Sequence, residues 1–116
     1  MFNESHMDQI FHALSHETRR KILDLLRDRP GQGVGVLARS FDVSRIAIMN
    51  HLAVLEKAGL VISEKDGRSR LLYLNLVPLQ MIHERWSDEY GAHWAGRLTA
   101  LKDLAEQKAA QGGEKT

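Results

Sequence analysis

Apolar residues recur every three or four positions along most of this chain, which is the spacing of one face of an α-helix. The longest stripe lies in the C-terminal third, where it continues from Leu79 to Leu104. Charged and polar residues stand between the apolar positions, as expected for helices that bury one side only. The pattern predicts five helices, over residues 7–14, 16–28, 34–41, 45–58 and 78–107.

Residues that start and stop helices stand between these stripes. Ser15 and Ser44 directly precede a stripe, where a hydroxyl can accept a hydrogen bond from a free backbone N–H group. Pro30, which glycines follow, ends the second predicted helix, and Gly59 suits the positive φ that commonly follows a last turn. Only a few residues join the third and fourth helices, which predicts a helix-turn-helix.

The period of the pattern changes from 3.6 to 2 after Gly59, which indicates β-structure. Two strands are predicted, and the Asp66-Gly67 pair between them is a strong signal for a tight hairpin. The fold class is therefore mainly α with a small β-hairpin wing, a winged helix-turn-helix. We expect one domain over 1–110, with a recognition helix at about 44–58, a wing at about 60–76, a C-terminal helix at about 78–107 and a flexible tail at 111–116.

The fourth predicted helix carries side chains suited to reading DNA on the face that its apolar stripe leaves free. An α-helix fits the major groove and reads base edges from its N-terminal half. Arg45 can donate to guanine or to a phosphate, Asn50 can pair with adenine, and Ser44 can contact a phosphate. The alternative is that Arg45 and Asn50 are plain solvated helix positions. Ile46 and Met49 can contact thymine methyl groups, or be core residues if the helical phase is shifted by one position.

Basic residues are concentrated in the middle of the chain. The net charge is only +1, but residues 19–70 hold eleven of the sixteen Lys and Arg against six acids. Such a centre favours a polyanion as partner. Within it, the predicted wing carries Lys65, Arg68 and Arg70, which can contact the DNA backbone or minor groove, or form a solvated turn.

Composition narrows the class of protein further. A chain of 116 residues, 43% hydrophobic and 27% charged, is typical of one soluble globular domain. The lack of cysteine excludes disulfides, thiolate metal sites and cysteine nucleophiles, and no phosphate-binding glycine loop follows a strand, so no enzyme is predicted. Neither a signal peptide nor an apolar run of roughly 20 residues is recognisable, so we expect a cytoplasmic protein without a membrane partner.

Four segments resemble the ArsR/SmtB family of bacterial repressors. They are the runs 13–23, 43–52 and 54–61, and Gly67-Arg68 followed by Tyr73-Leu74, and the resemblance covers roughly residues 7–104. Met49 departs from it, because many relatives have Ser or Thr there. The resemblance implies a homodimeric repressor that pairs through its first and last helices and binds an inverted repeat in double-stranded DNA. It also matches His51 to a family position, where a helix-packing or phosphate-contacting role is expected.

The C-terminal stripe supports a dimer independently of the resemblance. It contains more aromatic surface than a small core needs, and a partner helix would bury this surface. The alternative is that the stripe folds back on its own domain, and we expect part of it to serve each purpose. The predicted long C-terminal dimerisation helix, together with the first helix that the resemblance assigns to pairing, places these residues at the interface: Met7, Ile10, Phe11, Trp86, Tyr90, Trp94, Leu98 and Leu101.

The metal-ligand sets of the family are incomplete in this chain. The third helix has no cysteine, Met81 stands where an acid should precede His83, and Gly96 stands where an acid should follow His93. The sequence resembles the subgroup without metal ligands, so no cofactor or metal is expected, and an unknown small molecule is the possible inducer. Two alternatives stay open: a metal-responsive repressor with an unconventional site at His83, Glu84, Glu89 and His93, and a winged-helix scaffold for protein interactions.

Overall fold

The computed structural model describes residues 3–87 and 89–114, without the side chains of residues 89–92 and 111–114. The chain divides into two compact units, Met1–Ile82 and His83–Thr116. The elements follow in the order α1 (Glu4–Leu14), α2 (Glu17–Asp28), β1 (Gln32–Gly33), α3 (Val34–Ala38), α4 (Arg45–Lys57), β2 (Val61–Asp66), β3 (Ser69–Leu74), α5 (Val77–Trp86) and α6 (Glu89–Glu114). The predicted fold class, a mainly helical winged helix-turn-helix, is confirmed.

The core of the first unit lies where the apolar stripes of its helices meet the sheet. Helices α1, α2, α3 and α4 all pack within it, and β3 contacts α2 and α3. Burying these apolar side chains is the main favourable contribution to folding. The largest fully buried side chains lie on α1, α2, α3, α4 and β3 and just before β2: Ile10, Ile22, Leu26, Leu37, Ile48, Leu55, Leu60 and Leu72.

The wing is part of a three-stranded antiparallel sheet in the order β1-β3-β2. The short strand β1 was not predicted, because it lies in a segment rich in helix-breaking residues. Gly31 adopts a φ of +84° and donates its backbone N–H to the Leu72 carbonyl at 2.8 Å. The Gln32 side chain donates to the carbonyls of Leu25 and Arg29, at 2.9 and 3.1 Å. The turn after α2 therefore both ends that helix and pairs with the wing.

Several predicted boundaries hold, and others move. Gly59 has the expected positive φ of 79° after α4, and Gly67 has a φ of 61° at the hairpin. Ser15 is not the N-cap of α2: it ends α1, and the His16 side chain accepts the capping hydrogen bond from the Thr18 N–H. The third helix ends at Ala38 rather than at residue 41.

The C-terminal region is two helices, not the one long helix predicted over 78–107. Helix α5 ends at Trp86, Ser87 lies outside both helices, and α6 begins at Glu89. Ser and Asp residues compete with helical hydrogen bonding and favour helix starts, and the sequence has both types between the two helices. The apolar stripe continues across this junction, which is why periodicity alone missed it. Helix α6 also extends to Glu114, so part of the predicted tail is helical.

Candidate nucleic-acid interface

Helix α4 is held in place by its N-cap and by its apolar stripe. The Ser44 hydroxyl accepts a hydrogen bond from the Ala47 N–H at 3.1 Å, as predicted for a serine cap. Ile48, Leu52 and Leu55 are buried against the rest of the first unit. Because these three residues lie on one side of the helix, its opposite side faces solvent.

The solvent-facing side of α4 carries the side chains expected to read DNA. Ile46 is 71% exposed and Met49 is 52% exposed, so the alternative phase that would have made them core residues is wrong. Arg45 and Asn50 are exposed as well, as is the capping residue Ser44. We call these five residues the DNA face. Its apolar members are unusual for plain solvated helix positions and suit contact with a partner.

A groove lined by four arginines adjoins the DNA face. It has a volume of about 480 Å³ and lies among α3, α4 and the wing. The Arg45 guanidinium leans toward α3, where its Nη1 lies 3.7 Å from the position that a Cβ would occupy at Gly35. We call this feature the basic groove, and its arginines are Arg39, Arg45, Arg68 and Arg70.

The positive charge of the basic groove is not neutralised by neighbouring acids. Among the described residues, no carboxylate lies within 4.0 Å of any of its four guanidinium groups. Four cations around one concave surface repel one another and attract an anion. A guanidinium also matches a phosphate geometrically, since it can donate two parallel hydrogen bonds to it.

The wing adds a further like-charge arrangement. Lys65 and Arg70 stand directly opposite each other in the β2–β3 register, so their side chains share one face of the hairpin. Arg70 donates from Nη1 to the Ser63 hydroxyl at 3.0 Å, which holds its guanidinium over the sheet. Arg68 is exposed in the hairpin turn. Like charges across a hairpin are destabilising by themselves, so this pair also favours an anionic partner.

His51 is the member of the predicted site that the structure places differently from the others. It is half-buried, and its Nδ1 lies 3.2 Å from Nη1 of Arg19 on α2. Its ring centroid lies 4.5 Å from that of His16. Burial, His16 and Arg19 together hold the pKa of His51 below its ordinary value. His51 therefore packs against α2 in the structure, while the phosphate-contacting role stays a prediction.

The residues predicted for a dimer interface fall into two groups. In the first unit, Met7 and Ile10 are 4% and 0% exposed in the unit's own core, which leaves Phe11, at 46% exposed, as the side chain open to a partner. Met7 and Ile10 were expected at the interface because they share a helical stripe with Phe11, but α2 and α4 cover that side of α1.

The second unit exposes a larger set of apolar side chains. Trp86 is 60% exposed and Trp94 is 42% exposed. Trp94, Leu98 and Leu101 follow one another at helical spacing, so they form an exposed stripe on α6. The side chain of Tyr90, the remaining predicted member, lies outside the described residues.

The described part of the chain has neither a cluster of metal ligands nor a helix that could span a membrane. Within the described side chains, no group of three or more His, Asp or Glu residues could hold a metal ion. Glu89, one member of the unconventional set, lies outside those side chains. None of the described helices has the length and apolar character needed to cross a bilayer.

Two arginines in or beside the candidate site were not predicted from the sequence. Arg39, at the end of α3, lines the basic groove. The sequence signal that could have indicated Arg39 was its place at the end of a short helix that precedes α4 in the helix-turn-helix, since α3 packs on α4. Arg19 does not belong to the apolar stripe of α2, yet it is only 7% exposed. No local pattern marks Arg19, because its partners come from α1 and α4.

The chain is similar in sequence and in fold to known transcriptional regulators. A family model described as a helix-turn-helix domain matches residues 14–64. An uncharacterized HTH-type transcriptional regulator of Bacillus subtilis, YuzN, is 42% identical over 85 residues, which cover 68% of this chain and 92% of YuzN. The transcriptional repressor SdpR of the same organism is 36% identical over 74 residues, which cover 64% of this chain and 81% of SdpR. A crystal structure of an ArsR family transcriptional regulator has a TM-score of 0.68 and 31% identity, covering 81% of this chain and 95% of that one.

Proposed function

The chain belongs to the ArsR family of winged helix-turn-helix transcriptional regulators, and we propose that it is a homodimeric repressor that binds an inverted repeat in DNA. As a member of this family it is a DNA-binding regulator and not an enzyme. The observation that carries the proposal is the exposed DNA face of α4 beside a basic groove whose arginines have no acidic partner among the described residues. The combination supplies base-reading and phosphate-binding groups on one surface.

Base recognition is assigned to the DNA face. Arg45 donates to O6 and N7 of a guanine, and Asn50 pairs with an adenine, since these are the side chains that match the two purines in the major groove. Ile46 and Met49 lie against thymine methyl groups. Met49 takes the place of a polar residue in many relatives, so at this position we expect a preference for thymine.

Backbone recognition is assigned to the basic groove and the wing. Arg39, Arg68 and Arg70 neutralise phosphates. Lys65, which lies on the hairpin, adds a fourth positive charge to this set. Contacts of this kind orient a protein on the duplex and provide most of its affinity, but they carry no sequence information. Ser44 contacts a phosphate beside the N-terminus of α4, where the helix dipole favours an anion.

Dimerisation is assigned to Phe11 in the first unit and to the α6 stripe and Trp86 in the second. Exposed apolar side chains of this size are rarely left in water in such numbers on a monomer, and a second copy of the chain would cover them. A two-fold axis would place two recognition helices in successive major grooves, about 34 Å apart. An inverted repeat is the DNA sequence with matching symmetry.

Repression follows from occupancy of the operator, because a bound dimer blocks access of the polymerase in the bacterial cytoplasm. SdpR, the relative named as a transcriptional repressor, supports this direction of control. The inducer is proposed to be a small organic molecule rather than a metal ion, since two carboxylates of the family's C-terminal site are replaced by Met81 and Gly96.

The test is selection from a random duplex DNA pool by the purified protein, with and without a chelator of divalent metals. We expect enrichment of one short inverted repeat that does not depend on the chelator. Arg45→Ala should enrich no repeat or a degenerate one, while Arg27→Ala serves as a control, because Arg27 is exposed on α2 and paired with Asp24 and Asp28.

Each other outcome of the selection has a definite meaning. Enrichment of a single half-site would contradict the dimer, and enrichment that disappears with chelator would contradict the metal-free inducer. If neither the wild-type protein nor the Arg27→Ala control enriched any sequence, sequence-specific binding would be overturned, and a scaffold for protein interactions would be favoured.

A further inference from the structure

Arg19 is a nearly buried cation that joins three helices. It lies near the start of α2 and is 7% exposed. Its Nε donates to the Ala13 carbonyl at 2.8 Å, and its Nη2 donates to the His12 carbonyl at 3.1 Å. Its Nη1 lies 3.2 Å from Nδ1 of His51 on α4. One side chain of α2 thus binds both the C-terminal end of α1 and the recognition helix.

The charge of Arg19 is compensated by dipoles and not by an acid. Among the described residues, no carboxylate lies within 4.0 Å of its guanidinium. The His12 and Ala13 carbonyls belong to the last turn of α1, where the helix dipole gives the carbonyl groups partial negative charge; the His12 carbonyl also accepts from the N–H and the hydroxyl of Ser15. A buried cation is costly when its hydrogen bonds are lost, so each of its three acceptors matters.

The chemistry of Arg19 determines the protonation state of His51. A guanidinium has donors only, so Nδ1 of His51 must accept, and the ring is neutral with its proton on Nε2. The neighbouring His16 is constrained in the same way, because its Nδ1 accepts from the Thr18 N–H at 3.1 Å. Both imidazoles have to be neutral for the observed hydrogen bonds to exist.

We propose that Arg19 and His51 are a positioning pair that fixes the recognition helix α4 to the end of α1, and that the pair opens when His51 takes up a proton. The proposal rests on the proposed function, because α1 carries Phe11 of the dimer surface and α4 carries the DNA face. A joint between these two helices controls where each recognition helix stands in the dimer. DNA affinity should therefore fall as the solution becomes acidic.

The surroundings of His51 provide nothing that would stabilise its charged form. Helix α2 presents the His16 ring, which supplies no negative charge, and the Arg19 guanidinium, which disfavours a second positive charge beside it. Helix α1 contributes two carbonyls, which Arg19 occupies. From α3 and β2, which also pack on α4, no charged group of the described residues bonds to the His51 ring. Protonation must therefore break the contact with Arg19. The pKa of His51 is lowered by burial, His16 and Arg19, which agrees with this geometry.

The predicted direction is opposite to the general effect of acid on DNA-binding proteins. Protonation of exposed histidines makes a protein more cationic and strengthens its attraction to phosphates. A loss of affinity on acidification therefore cannot come from surface charge. The direction in which DNA affinity changes with pH therefore distinguishes the proposal from a general charge effect.

The experiment compares operator affinity at pH 7.5 and pH 5.5 by fluorescence anisotropy, with circular dichroism to confirm that each protein is folded at both values. For the wild-type protein we expect binding to weaken roughly tenfold at pH 5.5, which corresponds to the loss of one partly buried charged hydrogen bond. His51→Asn keeps an acceptor near the position of Nδ1 but cannot titrate, so its ratio of affinities should be close to one. His12→Asn removes an exposed histidine on α1 and should keep the wild-type ratio.

Two results would overturn the proposal: equal wild-type affinity at both pH values, or the same loss in His51→Asn as in wild type. A second measurement needs no DNA and separates failure of the pair from failure of the proposed function. Histidine side-chain ¹⁵N spectra of the free protein should show His51 neutral, with its proton on Nε2, at pH 7.5. Finding the proton on Nδ1 would contradict the pair even if no operator were ever bound.

Discussion

At the scale of single residues, replacing two different arginines of the basic groove by alanine should change DNA binding in different ways. Arg45→Ala removes the proposed base contact, so we expect a loss of about 1–3 kcal/mol in binding to the operator and a relaxed preference at one base pair. Arg39→Ala removes the proposed phosphate contact, so binding to all sequences should weaken evenly, and the slope of log K against log salt should fall in magnitude by about 1. Salt-dependent anisotropy titrations on operator and scrambled duplexes measure both quantities.

The matched control is Arg27→Ala, which removes an exposed arginine whose charge is already paired with Asp24 and Asp28. It should leave both the affinity and the salt slope unchanged. If Arg45→Ala weakened operator and scrambled DNA equally, the assignment of Arg45 to a base would be wrong.

His51 predicts how the stability of the fold depends on pH. Its pKa is lower in the folded chain than the ordinary value of 6.5 that the unfolded chain has. Below pH 6.5 the unfolded chain therefore binds a proton that the folded chain does not, and this difference favours unfolding. The stabilising contribution is present above pH 6.5 and is lost as the pH falls through the folded value. Urea denaturation at pH 7.5 and 5.5 should show a smaller loss of stability for His51→Asn than for wild type, and equal losses would contradict this role.

At the scale of elements, the wing should be more stable when the like-charge pair of Lys65 and Arg70 is removed. Lys65 stands opposite Arg70, so Lys65→Glu replaces a like-charge pair with an opposite-charge pair. We expect the unfolding free energy to rise by about 0.2–1 kcal/mol and DNA affinity to fall, since one phosphate contact is lost and a repulsive carboxylate is gained. Thermal unfolding and anisotropy measure the two changes. A variant that is more stable and also binds equally well would exclude the wing from the interface.

The sequence predicted those elements whose signals are local. Ser44, Gly59 and the Asp66-Gly67 pair each act on the backbone within a few residues, and the cap, the positive φ and the hairpin all appear where expected. The phase of α4 was also predictable, because its three buried residues recur at helical spacing.

The features that were missed depend on contacts between distant parts of the chain. Strand β1 exists because residues 32 and 33 pair with β3, about forty positions later. Arg19 is buried because α1 and α4 surround it, and nothing in the neighbouring residues of α2 indicates that. The break after α5 was hidden by an apolar stripe that continues through it. Pairing partners and buried polar contacts are tertiary information, which helical periodicity does not contain.

At the scale of the whole molecule, the exposed apolar side chains should control assembly. Phe11→Glu and Trp94→Glu each place a charge on a surface that we propose a second copy covers, so both should shift the dimer toward monomer. Sedimentation velocity at micromolar concentration measures this directly. Val43→Glu is the control, because Val43 is also an exposed apolar residue but lies outside the proposed dimer surfaces. A chain that sediments as a monomer before any substitution would remove the basis for a symmetric operator.

The most direct test of the central claim is the dependence of affinity on the spacing of the half-sites. The selected inverted repeat is titrated beside a duplex in which about five base pairs, half a helical turn, are inserted between its halves. If one dimer holds two recognition helices at a fixed separation, the insertion should reduce affinity to that of a single half-site. Equal affinity for the two duplexes would contradict a homodimer that reads an inverted repeat.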